Sequence, residues 1–271
     1  MEKILSAYII RRMINVLVFV LIFAELSVGT MNADGAEGPV FAYSGDIGPW
    51  FWGELSDEWN DCAIDHRQSP INISHVQLDR MLRPLELDLR ETPVHLINNG
   101  HTIEQEYEEG STLILNGANY DLLQFHFHTF SEHTVRGERF PMELHAVFKD
   151  ADSGQLAVVG MFFRIGEENQ FLAQFDDILP VQSGDHESSE HKINLADGLT
   201  HTGAYYTYPG SLTTPPCSPI VTWIVLKKSA EISLEQFHEF RNIMGNNFRP
   251  LQDLNDRVIR ATARGGLHHG K

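Results

Sequence analysis

Short segments in which apolar and polar residues alternate run through the chain from Pro84 onward. Over residues 85–90 three leucines alternate with charged residues, and turn sequences such as NNG at 98–100 separate the later segments. The apolar segments are Val94–Ile97, Thr112–Leu115, Leu122–His128, Glu143–Lys149, Leu156–Ile165 and Val221–Lys227. A period of two with frequent turns is typical of short β-strands. With no linker or internal repeat to divide it, the pattern predicts one mainly β domain, of the α+β class, over residues 41–263.

Helical patterns are few. A capping box at Ser233–Gln236, followed by an apolar stripe and Gly245, predicts one helix. Residues 166–179 place apolar side chains at helical spacing before Pro180, which predicts a second helix. The acidic, histidine-containing stretch 183–191 is predicted to be a solvated loop.

The first forty residues differ from the rest. Basic residues precede an apolar run, Met13–Ala24, and small residues follow it. This pattern predicts a secretory signal peptide over residues 1–29, a lead-in over 30–40, and export to the periplasm or the extracellular space. A membrane anchor is the alternative, but the run is shorter than the roughly 20 residues of a spanning helix. No later stretch is long enough to cross a membrane, and residues 264–271 are predicted to be a tail.

The amino-acid composition excludes some classes of function. The 271 residues include 37 Asp and Glu against 20 Lys and Arg, a net charge of −17. So acidic a chain repels phosphate backbones, which argues against nucleic-acid binding. Only Cys62 and Cys217 are present, and in an exported protein two lone cysteines are expected to form a disulfide. Two buried thiols are the alternative.

Histidines concentrate in two of the predicted strands. If residues 122–128 form a strand, Gln124, His126 and His128 share one face, and pairing with the next strand brings His145 beside them. Three neutral imidazoles without a thiolate suit Zn²⁺ and leave a fourth position for water. Gln124 and Glu143 are placed to accept hydrogen bonds from the outer ring nitrogens.

The same spacing admits a second interpretation. His126, His128 and Glu132 could together bind Fe²⁺ or Mn²⁺ in a cupin-type barrel, in which Glu132 would be a metal ligand. Spacing alone leaves both alternatives open.

Seven sequence motifs, taken in their order along the chain, resemble those of a known protein family. They are QSPINI (68–73), NNGH (98–101), QFHFHTFSEH (124–133), PMELHAVF (141–148), YPGSLTTPPC (208–217), VTWIVL (221–226) and NNFRPLQDLNDRVI (246–259). Together they resemble the α-class carbonic anhydrases of the exported, bacterial type, from about Phe41 to Arg260. The resemblance implies one domain around a large, twisted, mostly antiparallel β-sheet with short surface helices. It also implies reversible hydration of CO₂ to bicarbonate and a proton.

The resemblance further implies the roles of individual residues. One Zn²⁺ per chain would be bound by His126, His128 and His145. Thr213 would orient a zinc-bound hydroxide and donate its own proton to Glu132, which is then not a metal ligand. Thr214 would contact CO₂ or bicarbonate.

The remaining implied roles concern protons and the substrate pocket. His101 would be the proton shuttle, and Tyr43 and Asn99 would order the water chain leading to it. The apolar wall that holds CO₂ would consist of Val147, Val158, Leu212, Val221 and Trp223. The two cysteines stand where exported relatives carry a disulfide. A carbonic-anhydrase-like binding module is the alternative function, although the intact histidines, Thr213 and Glu132 argue against it.

Overall fold

The computed structural model describes residues 40–263. The predicted signal peptide over 1–29, the lead-in up to residue 39 and the tail over 264–271 lie outside the described residues. No helix within 40–263 combines the length and the apolar character needed to cross a bilayer.

Strands dominate the described chain, as the alternating pattern predicts. They are β1 (Asn72–Ile73), β2 (Gln77–Asp79), β3 (Glu86–Asp88), β4 (Thr92–Asn98), β5 (Ile103–Glu106), β6 (Thr112–Leu115), β7 (Ala118–Thr129), β8 (Thr134–Val135), β9 (Glu138–Arg139), β10 (Met142–Lys149), β11 (Leu156–Ile165), β12 (His186–Ile193), β13 (Tyr205–Gly210), β14 (Val221–Leu226), β15 (Ala230–Ile232) and β16 (Arg260–Thr262). The α-helices are α1 (Trp52–Leu55), α2 (Asp61–Ile64), α3 (Leu195–Gly198) and α4 (Leu234–Met244).

Most strands join one 13-stranded sheet, whose main path runs β12-β4-β5-β7-β10-β11-β14-β13-β16-β2. The pairs β11–β14, β11–β15 and β16–β2 are parallel, and the other pairs in this sheet are antiparallel. Strands β1, β8 and β9 form a second, three-stranded sheet. The mostly antiparallel sheet expected from the resemblance is therefore confirmed.

The centre of the sheet is buried on both faces. Phe125 and Phe127 of β7 pack with Leu144 of β10 in the larger apolar cluster on one face. Because successive strand residues point to opposite faces, the histidines of β7 and β10 lie on the other face. There a second cluster, including Val147 and Trp223, surrounds them. An apolar layer therefore supports the histidine strands from behind.

The two helix predictions have different outcomes. Helix α4 is confirmed, since Ser233 Oγ accepts a hydrogen bond from the Gln236 backbone in a capping box and Gly245 caps the C-terminal end of the helix. The helix predicted over 166–179 is wrong. Two short 3₁₀ helices, Leu172–Gln174 and Asp176–Ile178, stand there instead.

The apolar spacing in this segment reflects burial, not a continuous helix. Phe171, Leu172 and Phe175 are buried in the larger cluster. Asn169 Oδ1 accepts hydrogen bonds from the backbone nitrogens of residues 171 and 172, while its own N–H bonds to Gln236 of α4. Side chains therefore satisfy backbone groups that a helix would have paired.

The stretch 183–191 is solvent-exposed as predicted, but the loop predicted there is wrong from His186 onward. Residues from His186 onward form the edge strand β12, which pairs antiparallel with β4. Its side chains are mostly exposed, so the strand has no apolar alternation to reveal it. Its charged and polar residues suit an edge strand, because they discourage pairing with another chain.

The predicted disulfide is present. Cys62 of α2 is bonded to Cys217, 155 residues later and directly after the TTPP sequence. Both cysteines are buried in a small cluster with Phe41 and Trp52. The bridge therefore ties the N-terminal helices to the loop that carries Thr213 and Thr214.

Candidate metal centre and active-site cavity

Strand pairing brings three histidines to one point. In the antiparallel register of β7 and β10, His145 stands opposite His126, and Glu143 stands opposite His128. The ring centroids of the three histidines are 4.6–5.3 Å apart. One potential ligand atom from each lies within 4.8 Å of the others. The arrangement follows directly from the period of two in both strands.

Each histidine has one ring nitrogen close to a fixed acceptor oxygen; His126 and His128 form hydrogen bonds there, whereas Nε2 of His145 forms none within residues 40–263. Nδ1 of His126 lies 2.8 Å from Gln124 Oε1, and Nδ1 of His128 lies 2.7 Å from the Asn247 carbonyl oxygen. Nε2 of His145 lies 3.0 Å from Glu143 Oε1. Acceptors of this kind fix ring orientation and make the other nitrogen the metal-binding one.

The chemistry of this donor set fits zinc. Burial lowers the pKa of His126 and of His128, so both rings are neutral, as metal ligands must be. Nε2 of His128 is buried and has no hydrogen-bond partner within residues 40–263. A buried, unpartnered nitrogen facing two other imidazoles is costly unless an ion satisfies it. Three imidazoles with an open fourth position are a typical catalytic zinc site.

A second group of possible ligands is a hydrogen-bonded network instead. His133, Glu143 and His145 also cluster. Both ring nitrogens of His133 are already engaged, with Nδ1 2.8 Å from Glu143 and Nε2 2.6 Å from the Tyr208 hydroxyl. Burial alone would raise the pKa of Glu143, but His133 and His145 beside it hold that pKa well below its usual range. The Glu143 carboxylate thus supports His145 from behind.

Glu132 is buried next to the histidines. Its Oε1 accepts a hydrogen bond of 2.8 Å from the Arg249 backbone nitrogen. Its Oε2 lies 3.6 Å from His128 Nε2 and has no hydrogen-bond partner within 40–263. Thr213 is buried as well, but the bond expected between its hydroxyl and Glu132 is not among the hydrogen bonds of the described residues. Glu132 therefore retains one acceptor oxygen.

An open cavity of about 90 Å³ leads to the histidines. The predicted residues on its lining are Tyr43, Asn99, His101, Gln124, His126, His128, Val147, Leu212 and Thr214. Val158, Val221 and Trp223 are not on the lining, but they are buried in the apolar cluster that contains Val147 and against which Leu212 packs. The cavity is therefore polar on one side and apolar on the other.

His101 lies on the polar side of the cavity. Its ring stacks on Phe41, with 3.9 Å between ring centroids. Oδ1 of Asn99 accepts hydrogen bonds from the backbone nitrogens of His101 and Thr102. Asn99 therefore shapes the turn that presents His101, a role that the sequence did not reveal. Burial lowers the pKa of His101 below its ordinary value.

Fold and site together define a class: a zinc enzyme with three histidines clustered on neighbouring antiparallel strands beside an open cavity. The model of the eukaryotic-type carbonic anhydrase family matches residues 48–263. A carbonic anhydrase of Nostoc sp. is 39% identical over 224 residues, covering 81% of this chain and 84% of the relative. A carbonic anhydrase of Pectobacterium carotovorum is 37% identical over 241 residues, covering 87% and 98%.

A solved structure agrees. The α-carbonic anhydrase from Thermovibrio ammonificans, in complex with the inhibitor sulfanilamide, matches with a TM-score of 0.79 and 40% identity. The match covers 82% of this chain and 99% of the other. The chain belongs to the eukaryotic-type carbonic anhydrase family. It is an enzyme of that family with zinc as its cofactor, and the cupin-type alternative is wrong.

Several residues around the site were not predicted from the sequence. The backbone carbonyl of Asn247 is the acceptor next to His128. Every residue has a backbone carbonyl, so the residue type at this position gives no indication of the role. Leu156 and Glu104 line the cavity. Tyr208 closes the network behind Glu143 through His133. Only the strand register of β5 with β7, which sets Glu104 opposite His126, could have pointed to Glu104 beforehand.

Proposed function

We propose that this chain hydrates CO₂ reversibly to bicarbonate and a proton by a zinc-hydroxide mechanism, with one zinc bound by His126, His128 and His145. The convergence of three imidazoles, two of which line an open cavity, carries the proposal. Zinc in such a site supplies a nucleophile at neutral pH, because it lowers the pKa of a coordinated water to about 7, a value established for carbonic anhydrases.

Thr213 and Glu132 would orient that nucleophile. The free Oε2 of Glu132 can accept the only proton of the Thr213 hydroxyl. Thr213 could then act only as an acceptor towards the nucleophile, which aims a lone pair at the substrate. A buried carboxylate held by the Arg249 backbone is a rigid anchor for this bond.

CO₂ is uncharged and linear, so an apolar pocket suits it. Val147 and Leu212 would form the cavity surface against which it rests, backed by Val158, Val221 and Trp223. Thr214 faces the same cavity and would contact CO₂ or the bicarbonate product.

His101 would carry the product proton towards solvent. Its partly buried ring is at the cavity wall, and Tyr43 and Asn99 line the space beside it. A water chain held by these polar groups would link the reaction centre to the imidazole. A histidine that titrates near neutrality can accept and release a proton within each cycle.

Export is part of the proposal. The Cys62–Cys217 disulfide supports an oxidising compartment, such as the periplasm or the extracellular space. The strongly acidic composition supports a small-molecule substrate and argues against a nucleic-acid partner.

Stopped-flow CO₂ hydration, run beside a metal assay on the purified mature chain, tests this function. Fast hydration with about one zinc per chain is the expected result. Zinc without hydration would overturn the proposal in favour of a binding module. Hydration supported by another metal, with no zinc bound, would overturn the metal assignment.

Replacing Thr213 by valine should lower kcat/KM for CO₂ about a hundredfold. The change keeps side-chain shape but removes the hydroxyl that orients the nucleophile, and losing one such polar group at a reaction centre costs a factor of this order. Stopped-flow hydration measures the effect. Thr213→Ser retains a hydroxyl and should recover most of the activity; a Thr213→Val variant within threefold of wild type would contradict the role.

Replacing His101 by alanine should lower kcat in weak buffer by roughly tenfold to a hundredfold, as expected for loss of a proton-transfer group. The value of kcat/KM for CO₂ should change little, because the proton leaves after bicarbonate forms. Added imidazole should restore kcat by carrying the proton instead.

The wild-type pH profile tests the same residue. The neutral imidazole accepts the proton, and burial lowers the pKa of His101. The acidic limb of kcat should therefore lie below about pH 6.5, the ordinary histidine value. A kcat that is insensitive to His101→Ala in weak buffer would contradict the shuttle role.

A further inference from the structure

One carboxylate stands in the wall of the active-site cavity. Glu104 on β5 pairs in register with His126 on β7. Directly opposite residues of an antiparallel pair point to the same face, with Cβ atoms about 4.5–5.5 Å apart. Glu104 accordingly lines the cavity together with Gln124 and His101. Its side chain is thus a near neighbour of the zinc-binding group.

When Glu104 is ionised, no partner neutralises its charge. Within residues 40–263 this side chain has no hydrogen bond and no ion pair, and the nearest charge that affects it is another carboxylate, Glu106. Among the described residues of the cavity lining, Glu104 is the only Asp, Glu, Lys or Arg. The fixed charge nearest to an incoming ligand on the cavity surface is therefore negative.

An unpaired carboxylate in this position affects neutral and anionic molecules differently. CO₂ carries no net charge and is insensitive to Glu104. Bicarbonate and other small anions would be repelled by the Glu104 carboxylate as they approach the open position of the metal. In a partly enclosed cavity this repulsion exceeds its value in bulk water.

We propose that Glu104 is a selectivity residue of the cavity, which weakens the binding of anions at the metal centre relative to neutral CO₂ and favours the departure of bicarbonate. The inference rests on the proposed zinc site. It concerns which ligands the site accepts and leaves the order of the chemical steps unchanged. Glu104 is a specificity determinant, not a catalytic residue.

Thiocyanate provides a direct test. Burial and Glu106 raise the pKa of Glu104 to about 7, so measurements at pH 8.5 keep the carboxylate ionised. The dissociation constant of thiocyanate is measured by visible absorption titration of the cobalt(II)-substituted protein, a binding readout that is independent of turnover. After correction for competing hydroxide, using the pKa of the metal-bound water read from the same spectra, Glu104→Gln should bind thiocyanate about fivefold more tightly, the change expected for two unit charges ~8 Å apart in a medium between protein and water.

Glu106→Gln is the matched control. Glu106 is two residues along the same strand and has the same side chain, and its Oε2 lies 2.7 Å from His95 Nδ1, outside the cavity lining. Its replacement should leave the thiocyanate constant within twofold of wild type. Glu104→Asp keeps the negative charge and should bind thiocyanate as weakly as the wild type. Thermal unfolding of each variant checks that the fold is intact.

Kinetics give a second readout. With Glu104→Gln, KM for bicarbonate in the dehydration direction should fall severalfold while kcat/KM for CO₂ changes less. An unchanged thiocyanate constant in Glu104→Gln would overturn the inference, as would an equal effect of Glu106→Gln. If the wild-type chain hydrates CO₂ but the thiocyanate dissociation constant is the same in Glu104→Gln, only the inference about Glu104 fails. If hydration is absent but the constants differ as expected, the proposed function fails and the role of Glu104 stands.

Discussion

The His128→Ala variant is expected to lose at least about a thousandfold in CO₂ hydration and to retain little zinc. His128 has one ring nitrogen fixed by the Asn247 carbonyl and the other unpartnered in the buried cluster, so this second nitrogen is available to bind the proposed zinc. A catalytic metal contributes several kcal/mol of transition-state stabilisation, and about 1.4 kcal/mol corresponds to a factor of ten. Hydration rates and metal content of the purified variant measure both losses.

His238→Ala is the matched control for this variant. His238 is exposed on helix α4, where alanine is the most favourable helix residue. Its activity and zinc content should equal those of wild type. Unfolding curves separate loss of metal from loss of fold. A His128→Ala protein that still binds one zinc tightly and hydrates CO₂ at wild-type rate would exclude the three-histidine site.

The second large effect concerns stability. Replacing both Cys62 and Cys217 by serine should lower the free energy of unfolding by about 4–5 kcal/mol, because the bridge closes a loop of 155 residues in the unfolded chain. For a domain of this size the loss corresponds to a Tm lower by roughly 10–20 °C. Denaturant unfolding and thermal scans of the zinc-loaded protein measure it.

A single Cys→Ser variant would leave a reactive thiol, so the double variant is the cleaner test. Reducing the wild-type protein should produce the same shift, which distinguishes loss of the covalent link from poor packing of serine. A Tm within 3 °C of wild type in both experiments would show that contacts in the N-terminal cluster, and not the bridge, hold that segment.

Strands were predicted correctly where one face of the strand is buried, or where a short apolar segment is buried on both faces. The predicted bounds of Thr112–Leu115 and Leu156–Ile165 are those of β6 and β11. Alternation also placed His126, His128 and His145 on one face, so the metal cluster followed from local rules once β7 and β10 were paired. The seven family motifs supplied the rest of the proposed site.

Failures occurred where tertiary contacts outweigh local pattern. Residues 166–179 carry helical spacing, yet Asn169 and Gln236 take over backbone hydrogen bonds and leave two 3₁₀ turns. Strand β12 has no apolar face, because it lies at the sheet edge. The Asn247 acceptor depends on a carbonyl oxygen 119 residues from its histidine, and any residue type could provide it.

That distant acceptor has a consequence for the order in which the enzyme matures. The carbonyl of Asn247 orients His128, and the neighbouring Arg249 guanidinium bonds to the Cys62 carbonyl and to Gln68 near the other end of the domain. A ribosome must therefore complete about nine-tenths of the chain before the metal ligands can be set. We therefore expect zinc to be acquired late, after synthesis and docking of the C-terminal segment, and a shortened chain ending before residue 247 should emerge with His128 not properly oriented.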